Sequence, residues 1–465
     1  MIRQNFFWIV ICLAVSVACY RTLPRNPHQR TFGEILDFIE SDYVAPTDSE
    51  ELFNQAVSSM LRQLDENSSY VPPRDARDFQ NDLDNQYVGI GIEAAAAPDK
   101  QSLVVLSPPL VGTPAHQAGL RTGDQIVRVN GDAVGQLGPE AALAQIQGTP
   151  GTEVALGINR PGTTKLWELP IRREVIVRPS VTGYARNLAG EWSYAIEEAP
   201  RIGYLRINQF VQDRTPREVR AAFEQMRAAG CVAAVMDLRD NPGGYKDAAE
   251  QVCDFFLNKG ELIVSTKGRN PKSNTATYAT GQGQFTTLPL AILINHRSAS
   301  ASEIVAAALQ DHQRAIIIGE RSYGKGTTQH VIPLSPRANG ETPMLRLTVA
   351  YYHSPLHRNI HRFPNAQDNT EWGVQPNPGC ERPLTAEQWR TWQNWRSRHE
   401  RWALGGEVAK PAPAVAADNP SASVEGKNTG DDSPALLGED SPDPHLRQAV
   451  EMLEKKSEAA SAKAA

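Results

Sequence analysis

The stretch Asn295-His296-Arg297-Ser298-Ala299-Ser300-Ala301-Ser302-Glu303 lies between an apolar run, Leu290 to Ile294, and an alanine-rich run, Glu303 to Leu309. The first run has the composition of a buried strand and the second that of a helix, so the serines occupy a strand-to-helix turn. A hydroxyl at such a turn meets free backbone N–H groups and the positive end of the helix dipole. A serine is a poor nucleophile unless a neighbouring base takes its proton, and the base is a histidine held by a carboxylate or a lysine kept neutral by burial. Gly324-Lys325-Gly326-Thr327-Thr328-Gln329 follows the apolar strand Ala315 to Ile318, and a glycine-flanked lysine beside a core strand can lose its water.

Outward from this pair, residues 201 to 380 alternate strand and helix. Ile202 to Ile207 reads as a strand, Arg217 to Ala229 as a helix ended by Gly230, and Cys231 to Leu238 as a buried strand. Asp247 to Leu257 (helix), Leu262 to Ser265 (strand), Leu290 to Ile294 (strand), a helix through Gln310, and the strands Ala315 to Ile318 and Met344 to Tyr351 complete the series. Such alternation specifies a layered α/β core.

From Tyr87 to Arg173 the pattern is different: short strands separated by glycines. Val88-Gly89-Ile90-Gly91-Ile92 precedes a strand at Ser102 to Ser107. Pro114 to Gly131 then spells a short helix, a Gly-Asp turn and a strand closed by Asn130-Gly131. The stretch resembles a PDZ domain. By that resemblance Val88, Gly89, Ile90, Gly91 and Ile92 form the loop and edge strand that hold a ligand's C-terminal carboxylate. Glycines there leave backbone N–H groups uncovered.

Residues 31 to 66 carry apolar stripes at helical spacing, first Ile35, Leu36, Phe38 and Ile39, then Leu52, Phe53, Ala56, Val57, Met60, Leu61 and Leu64. Whether they cover the core or pair with another copy, as a homo-oligomer, the sequence leaves open. Residues 1 to 20 have Arg3 followed by an apolar run from Phe6 to Ala18, shorter than a full membrane span and fitting an export signal. Val17-Ala18-Cys19 partly resembles a lipoprotein site, so cleavage, lipidation and retention as a membrane anchor all stay open. Residues 411 to 443 are rich in Ala, Pro, Ser, Gly and Asp with little to bury, and lead to an amphipathic helix from Pro444 to Leu453.

At 40% apolar residues the 465-residue chain has ample core, and a net charge of −6 with interspersed signs gives no nucleic-acid footprint. Cys12 and Cys19 fall in the export segment. Cys231, Cys253 and Cys380 are widely spaced and form no C-x-x-C pair, so they define neither a disulfide framework nor a zinc site.

Three motifs in order resemble the C-terminal processing peptidases, or tail-specific proteases: Asp237-Leu238-Arg239-Asp240-Asn241-Pro242-Gly243-Gly244, Arg297 to Glu303, and Tyr323 to Gln329. These are serine peptidases with a Ser-Lys dyad and an inserted PDZ domain. The resemblance runs from the Asp65 to Tyr70 segment to Gly373-Val374-Gln375-Pro376. It implies an α/β (α+β) multidomain chain: a layered α/β protease core resembling the Clp protease/crotonase-like fold, an inserted PDZ β-domain and an N-terminal helical segment. The expected divisions are an export segment or anchor at 1–20, helices at 31–86, the PDZ domain at 87–173, the protease core at 174–403, a linker at 404–443 and a helix at 444–465.

Carried over residue by residue, the family's nucleophile falls on Ser300, its base on Lys325 and the glutamine that orients the lysine on Gln329. Spacing alone does not choose among Ser298, Ser300 and Ser302; the resemblance makes that choice. The oxyanion donors fall on the N–H groups of Ala301 and Gly243, with Gly244 the alternative. Substrates are proteins or peptides with free C-termini, no metal or organic cofactor is required, and the site of action is the periplasm or the outer face of the inner membrane. The chain departs from the pattern at Asp240, where asparagine is common and a carboxylate near the lysine would raise its pKa, and at Gln147, where relatives often have arginine.

Competing readings fail on particular residues. Gly319 to Lys325 fits most of the phosphate-loop pattern, but Gly326 stands where Ser or Thr must hold magnesium. His353, His357 and His361 have the spacing of helical metal ligands, but Pro355 interrupts them after a strand. His296, His312 and His330 lie near the serines without a G-x-S-x-G elbow. A noncatalytic PDZ adaptor on a protease fold has no use for Ser300, Lys325 and Gln329 together.

Overall fold

The computed structural model describes residues 26–401 and 441–464 apart from 108, 111, 164, 187–190, 338, 339 and 368, with a few isolated positions before residue 26. Most of the expected export segment and of the expected linker lie outside the described residues. Among the described residues no helix is long and apolar enough to cross a membrane.

The chain divides into two compact units. The first comprises residues 1–76 and 329–348. Its helix α1 (Pro27–Asp42) starts at Asn26, whose side chain accepts the His28 N–H, and α2 (Ser49–Arg62) starts at Asp48, which accepts the N–H groups of Glu50 and Glu51. Phe53 on α2 meets Phe32 and Tyr70 edge-on. Tyr70 belongs to β1 (Ser69–Val71), which pairs antiparallel with residues 344–346. Ile35, Phe38, Met60 and Leu64 stay exposed.

The second unit comprises residues 77–328 and 349–465. Its PDZ part contains β2 (Gln86–Gly89), β3 (Ala94–Ala96), β4 (Leu103–Val105), β5 (Gln125–Val129), α3 (Pro139–Ile146), β6 (Glu153–Asn159), β7 (Leu166–Arg172) and β8 (Glu174–Val177). The sheet runs β3-β4-β5-β6-β7, all antiparallel, over a core that includes Leu103, Ile126, Val154 and Leu156, while β2 pairs with β8. Of the loop and edge strand expected at Val88 to Ile92, Val88 and Gly89 lie on β2 and pair with Val175 and Glu174, Ile90 to Ile92 form a loop, and β3 is the edge strand of the larger sheet. The break falls at Gly91, whose φ of +91° suits glycine, and where a Cβ would lie 2.3 Å from the Thr113 hydroxyl.

The core part runs through β9 (Val181–Gly183), β10 (Ala199–Ile207), α4 (Arg214–Ala228), β11 (Ala233–Asp237), α5 (Lys246–Asp254), β12 (Leu262–Lys267), β13 (Leu290–Ile294), α6 (Ala301–Asp311), β14 (Ala315–Gly319), α7 (Ala386–Arg401) and α8 (Pro444–Ala464), while β15 (Thr327–Pro333) and β16 (Met344–His353) have residues in each unit. The sheet order is β9-β10-β11-β13-β14; β10, β11, β13 and β14 are parallel, and β9 is antiparallel to β10. Strands β11 and β13 are buried along their whole length, as a parallel sheet covered on both faces requires. Phe223, Val252, Val305 and their neighbours on α4, α5 and α6 cover one face. Leu446, Ala449, Val450 and Leu453 of α8 cover the other, against Tyr204, Val235, Leu293 and Ile318.

Candidate active site

Each parallel strand delivers a turn to one end of the sheet, where α/β folds place their sites. Strand β13 delivers the serine turn, β11 the Asp237-to-Gly244 turn, and β14 the loop carrying Lys325. The three serines of the first turn differ in what they do. Ser298 Oγ donates to Leu238 O at 2.8 Å and Ser302 Oγ to Asn241 O at 3.0 Å, so both hydroxyls brace the neighbouring turn. Ser300 precedes α6 at φ +57°, a conformation that side chains rarely adopt. Its hydroxyl lies beside that of buried Tyr352, whose own ionisation burial pushes up.

Glu303 ties this turn to the lysine loop. Its Oε2 accepts the N–H of Ser300 and of Lys325, both at 2.8 Å, and its Oε1 accepts Ser322 Oγ at 2.6 Å and the Gly324 N–H at 2.7 Å. Tyr323 N–H adds a bond to Ser298 O at 3.0 Å. Glu303 is fully buried, and burial raises its pKa to about 7 against the pull of these donors. No role was expected for Glu303 from the sequence, although the Ser-x-x-Glu spacing from Ser300 is the signature of a capping box.

Lys325 is half-buried between glycines that the fold requires. A Cβ on Gly324 would meet Arg362 Cβ at 2.7 Å and the Trp372 ring at 2.9 Å, and one on Gly326 would meet His361 N at 2.4 Å. Gln329 lies on β15 in the first compact unit, where its side-chain amide donates to Thr348 Oγ1 at 3.2 Å.

The Gly-Gly turn abuts the serine turn. A Cβ on Gly243 would lie 2.7 Å from Ser300 Cβ and 3.0 Å from Ala301 N. Ala299 N–H donates to Asn241 O at 3.0 Å. The Gly243 N–H donates to Asn241 Oδ1 at 2.9 Å, whereas those of Ala301 and Gly244 donate no hydrogen bond among the described residues. Asp240 is locked by partners on its own side of the turn: Asn295 Nδ2 at 2.9 Å, Arg396 Nη1 at 3.2 Å and Arg206 Nη2 at 3.6 Å. Its charge is thus balanced by two guanidinium groups. Gln147 is exposed just beyond α3, while buried Arg173 donates to Gln145 O and Ile146 O at the end of that helix.

Residues 201–377 match Peptidase family S41 and residues 80–159 match the PDZ domain. The chain is 35% identical over 397 residues to a carboxy-terminal-processing protease of Bartonella bacilliformis, covering 83% of this chain and 84% of that protein. It is 31% identical over 331 residues to a carboxyl-terminal-processing protease of Synechocystis, covering 71% of each. Among solved structures, a photosystem II D1 C-terminal processing protease shares 25% identity, covering 77% of this chain and 94% of that one, with a TM-score of 0.41. The layered core and the serine turn therefore define a peptide-bond hydrolase with a PDZ domain. The chain belongs to the serine peptidase family S41.

Proposed function

We infer that this peptidase takes up the free C-terminal end of a protein or peptide through its PDZ domain and hydrolyses a bond near that end with a Ser300–Lys325 dyad. The neutral Lys325 amine takes the Ser300 proton as Oγ attacks the scissile carbonyl carbon. The Ala301 N–H and one N–H of the Gly243-Gly244 turn hold the resulting oxyanion. Lys325 returns the proton to the leaving nitrogen as the C–N bond breaks, which leaves the acyl group on Ser300. It then takes a proton from water, whose attack frees the new carboxyl end and restores Ser300.

The observation that carries this reading is the shared Glu303 oxygen, which sets the backbone of Ser300 and of Lys325 around one acceptor. The commitment of the Ser298 and Ser302 hydroxyls elsewhere supports Ser300 as the nucleophile. For the PDZ role, the N–H groups of Ile90, Gly91 and Ile92 donate no hydrogen bond among the described residues, and β3 leaves an open sheet edge beside them. A carboxylate on those amides with the peptide added along β3 is the recognition they support. The relatives' names support cleavage near C-termini. The apolar run after Arg3 supports export to the periplasm or the outer face of the inner membrane.

The test is hydrolysis of a peptide with a free apolar C-terminus, its amidated form, and the Ser300→Ala and Lys325→Ala proteins. Each variant should lose at least about 1,000-fold in kcat, and amidation should raise KM roughly tenfold. Binding without turnover by the unmodified protein would identify a PDZ adaptor instead.

A further inference from the structure

The Asp237-to-Gly244 turn is also held by residues that the dyad does not use. Arg239 is 1% exposed and carries two buried carboxylates. Asp237 takes its Nη2 at 2.6 Å and its Nε at 3.0 Å. Asp443 takes Nη1 and Nη2 at 2.8 Å each, a bidentate pair. Asp443 is 0% exposed, stands immediately before α8, and also accepts Trp392 Nε1 at 3.0 Å and the Leu446 N–H at 3.0 Å. The Trp392 ring covers the Arg239 guanidinium at 4.4 Å. His445 sits against Arg239 Nη1 at 3.5 Å; with its Nε2–H donated to Arg382 O at 2.7 Å, its Nδ1 is the acceptor toward Arg239.

Four apolar side chains of α8 already seat that helix on the sheet, so a buried charge is not needed for docking. Buried ion pairs add little net stability, because desolvation offsets their attraction; what a bidentate pair fixes is orientation. Here the oriented group is Arg239. Its carbonyl is held by Arg206 Nη2 at 2.8 Å, and two residues later Asn241 O receives the Ala299 N–H of the serine turn.

We propose that Asp443 is a positioning residue of the active site: acting through Arg239, it holds the turn bearing Gly243 and Gly244 against Ser300, so that the oxyanion pocket is complete only when α8 is docked. This rests on the assignment of Ser300 and of the oxyanion donors above.

The test uses the full chain with Asp443→Asn, Asp443→Glu, Arg239→Lys, the Arg239→Lys/Asp443→Asn double variant, Ser300→Ala, and Lys455→Gln on the exposed face of α8 as control. Peptide hydrolysis is measured for each protein at a fixed interval below its own melting midpoint. Asp443→Asn should lower kcat about 10- to 100-fold and leave KM within about threefold. The pH midpoint of the rate should not move, because the base is untouched. Asp443→Glu, which keeps the charge, should recover part of the loss, and it decides the matter if the Asn variant does not fold. The double variant should lose no more than Arg239→Lys alone, since both changes break one link. A kcat for folded Asp443→Asn within about twofold of the unmodified protein, or additive losses in the double variant, would overturn the proposal. Hydrolysis by Ser300→Ala would instead overturn the dyad on which it rests.

Discussion

Ser300 and Lys325 donate their backbone N–H groups to the same oxygen of Glu303, each at 2.8 Å. The turn carrying the hydroxyl and the loop carrying the amine are therefore set by one buried carboxylate. A displacement of either is felt by the other through an acceptor that also binds Ser322 and Gly324.

Replacing that carboxylate should damage activity more than folding. Glu303→Gln turns an amide N–H₂ toward donors that need an acceptor, at a cost of about 1–3 kcal/mol. We expect kcat to fall at least about 100-fold, read by peptide hydrolysis alongside a melting curve.

The same variant should change how stability depends on pH. Burial raises the Glu303 pKa from 4.5 to about 7, so between those values the folded chain holds a proton that the unfolded chain releases. Its contribution to stability is complete below the unfolded value and is lost as pH rises through the folded one. The unfolding free energy from urea titration should therefore fall further between pH 5 and pH 8 in the unmodified protein than in Glu303→Gln, by roughly 2–3 kcal/mol.

Gly243→Ala should abolish turnover. The added methyl would lie 2.7 Å from Ser300 Cβ, on a backbone at φ +103°. A fall in kcat of at least about 100-fold is expected, with retention of a tailed peptide by the PDZ domain unchanged in a binding assay.

Asp240→Asn should leave the pH midpoint of kcat/KM within about 0.3 units, because two arginines already balance the charge. Arg396→Ala removes the closer guanidinium and should cost about 1 kcal/mol in a melting experiment.

Gly91→Ala should act on capture alone. Its Cβ would collide with the Thr113 side chain at 2.3 Å, beside the amides assigned to the carboxylate. KM for tailed peptides should rise at least about tenfold with kcat little changed.

Much of this architecture was legible in the sequence because its signals are local. The alternation of apolar strands such as Leu290 to Ile294 with helices ended by Gly230-type residues gave the layered core, and the glycine-punctuated stretch before it gave the PDZ domain. Element ends moved by a few residues: the helix read from Arg217 starts at Arg214 and the strand read from Cys231 starts at Ala233. Within the loop and edge strand read at Val88 to Ile92, the point where strand gives way to loop was not legible, because the pairing of Val88 and Gly89 with Val175 and Glu174 joins residues distant in sequence. The partners of Asp240 were out of reach for the same reason: Arg206, Asn295 and Arg396 come from three separate segments. Glu303 stood in plain view beside the serines, but its four donors converge only in three dimensions.

The bond between Arg239 and Asp443 spans 204 residues of chain. During synthesis at about 5–20 residues per second, roughly 10 to 40 s separate the emergence of the first partner from that of the second. Ser300 and Lys325 both emerge within that interval, and from then until Asp443 follows, the nascent chain carries them without the carboxylate that grips the Arg239 guanidinium.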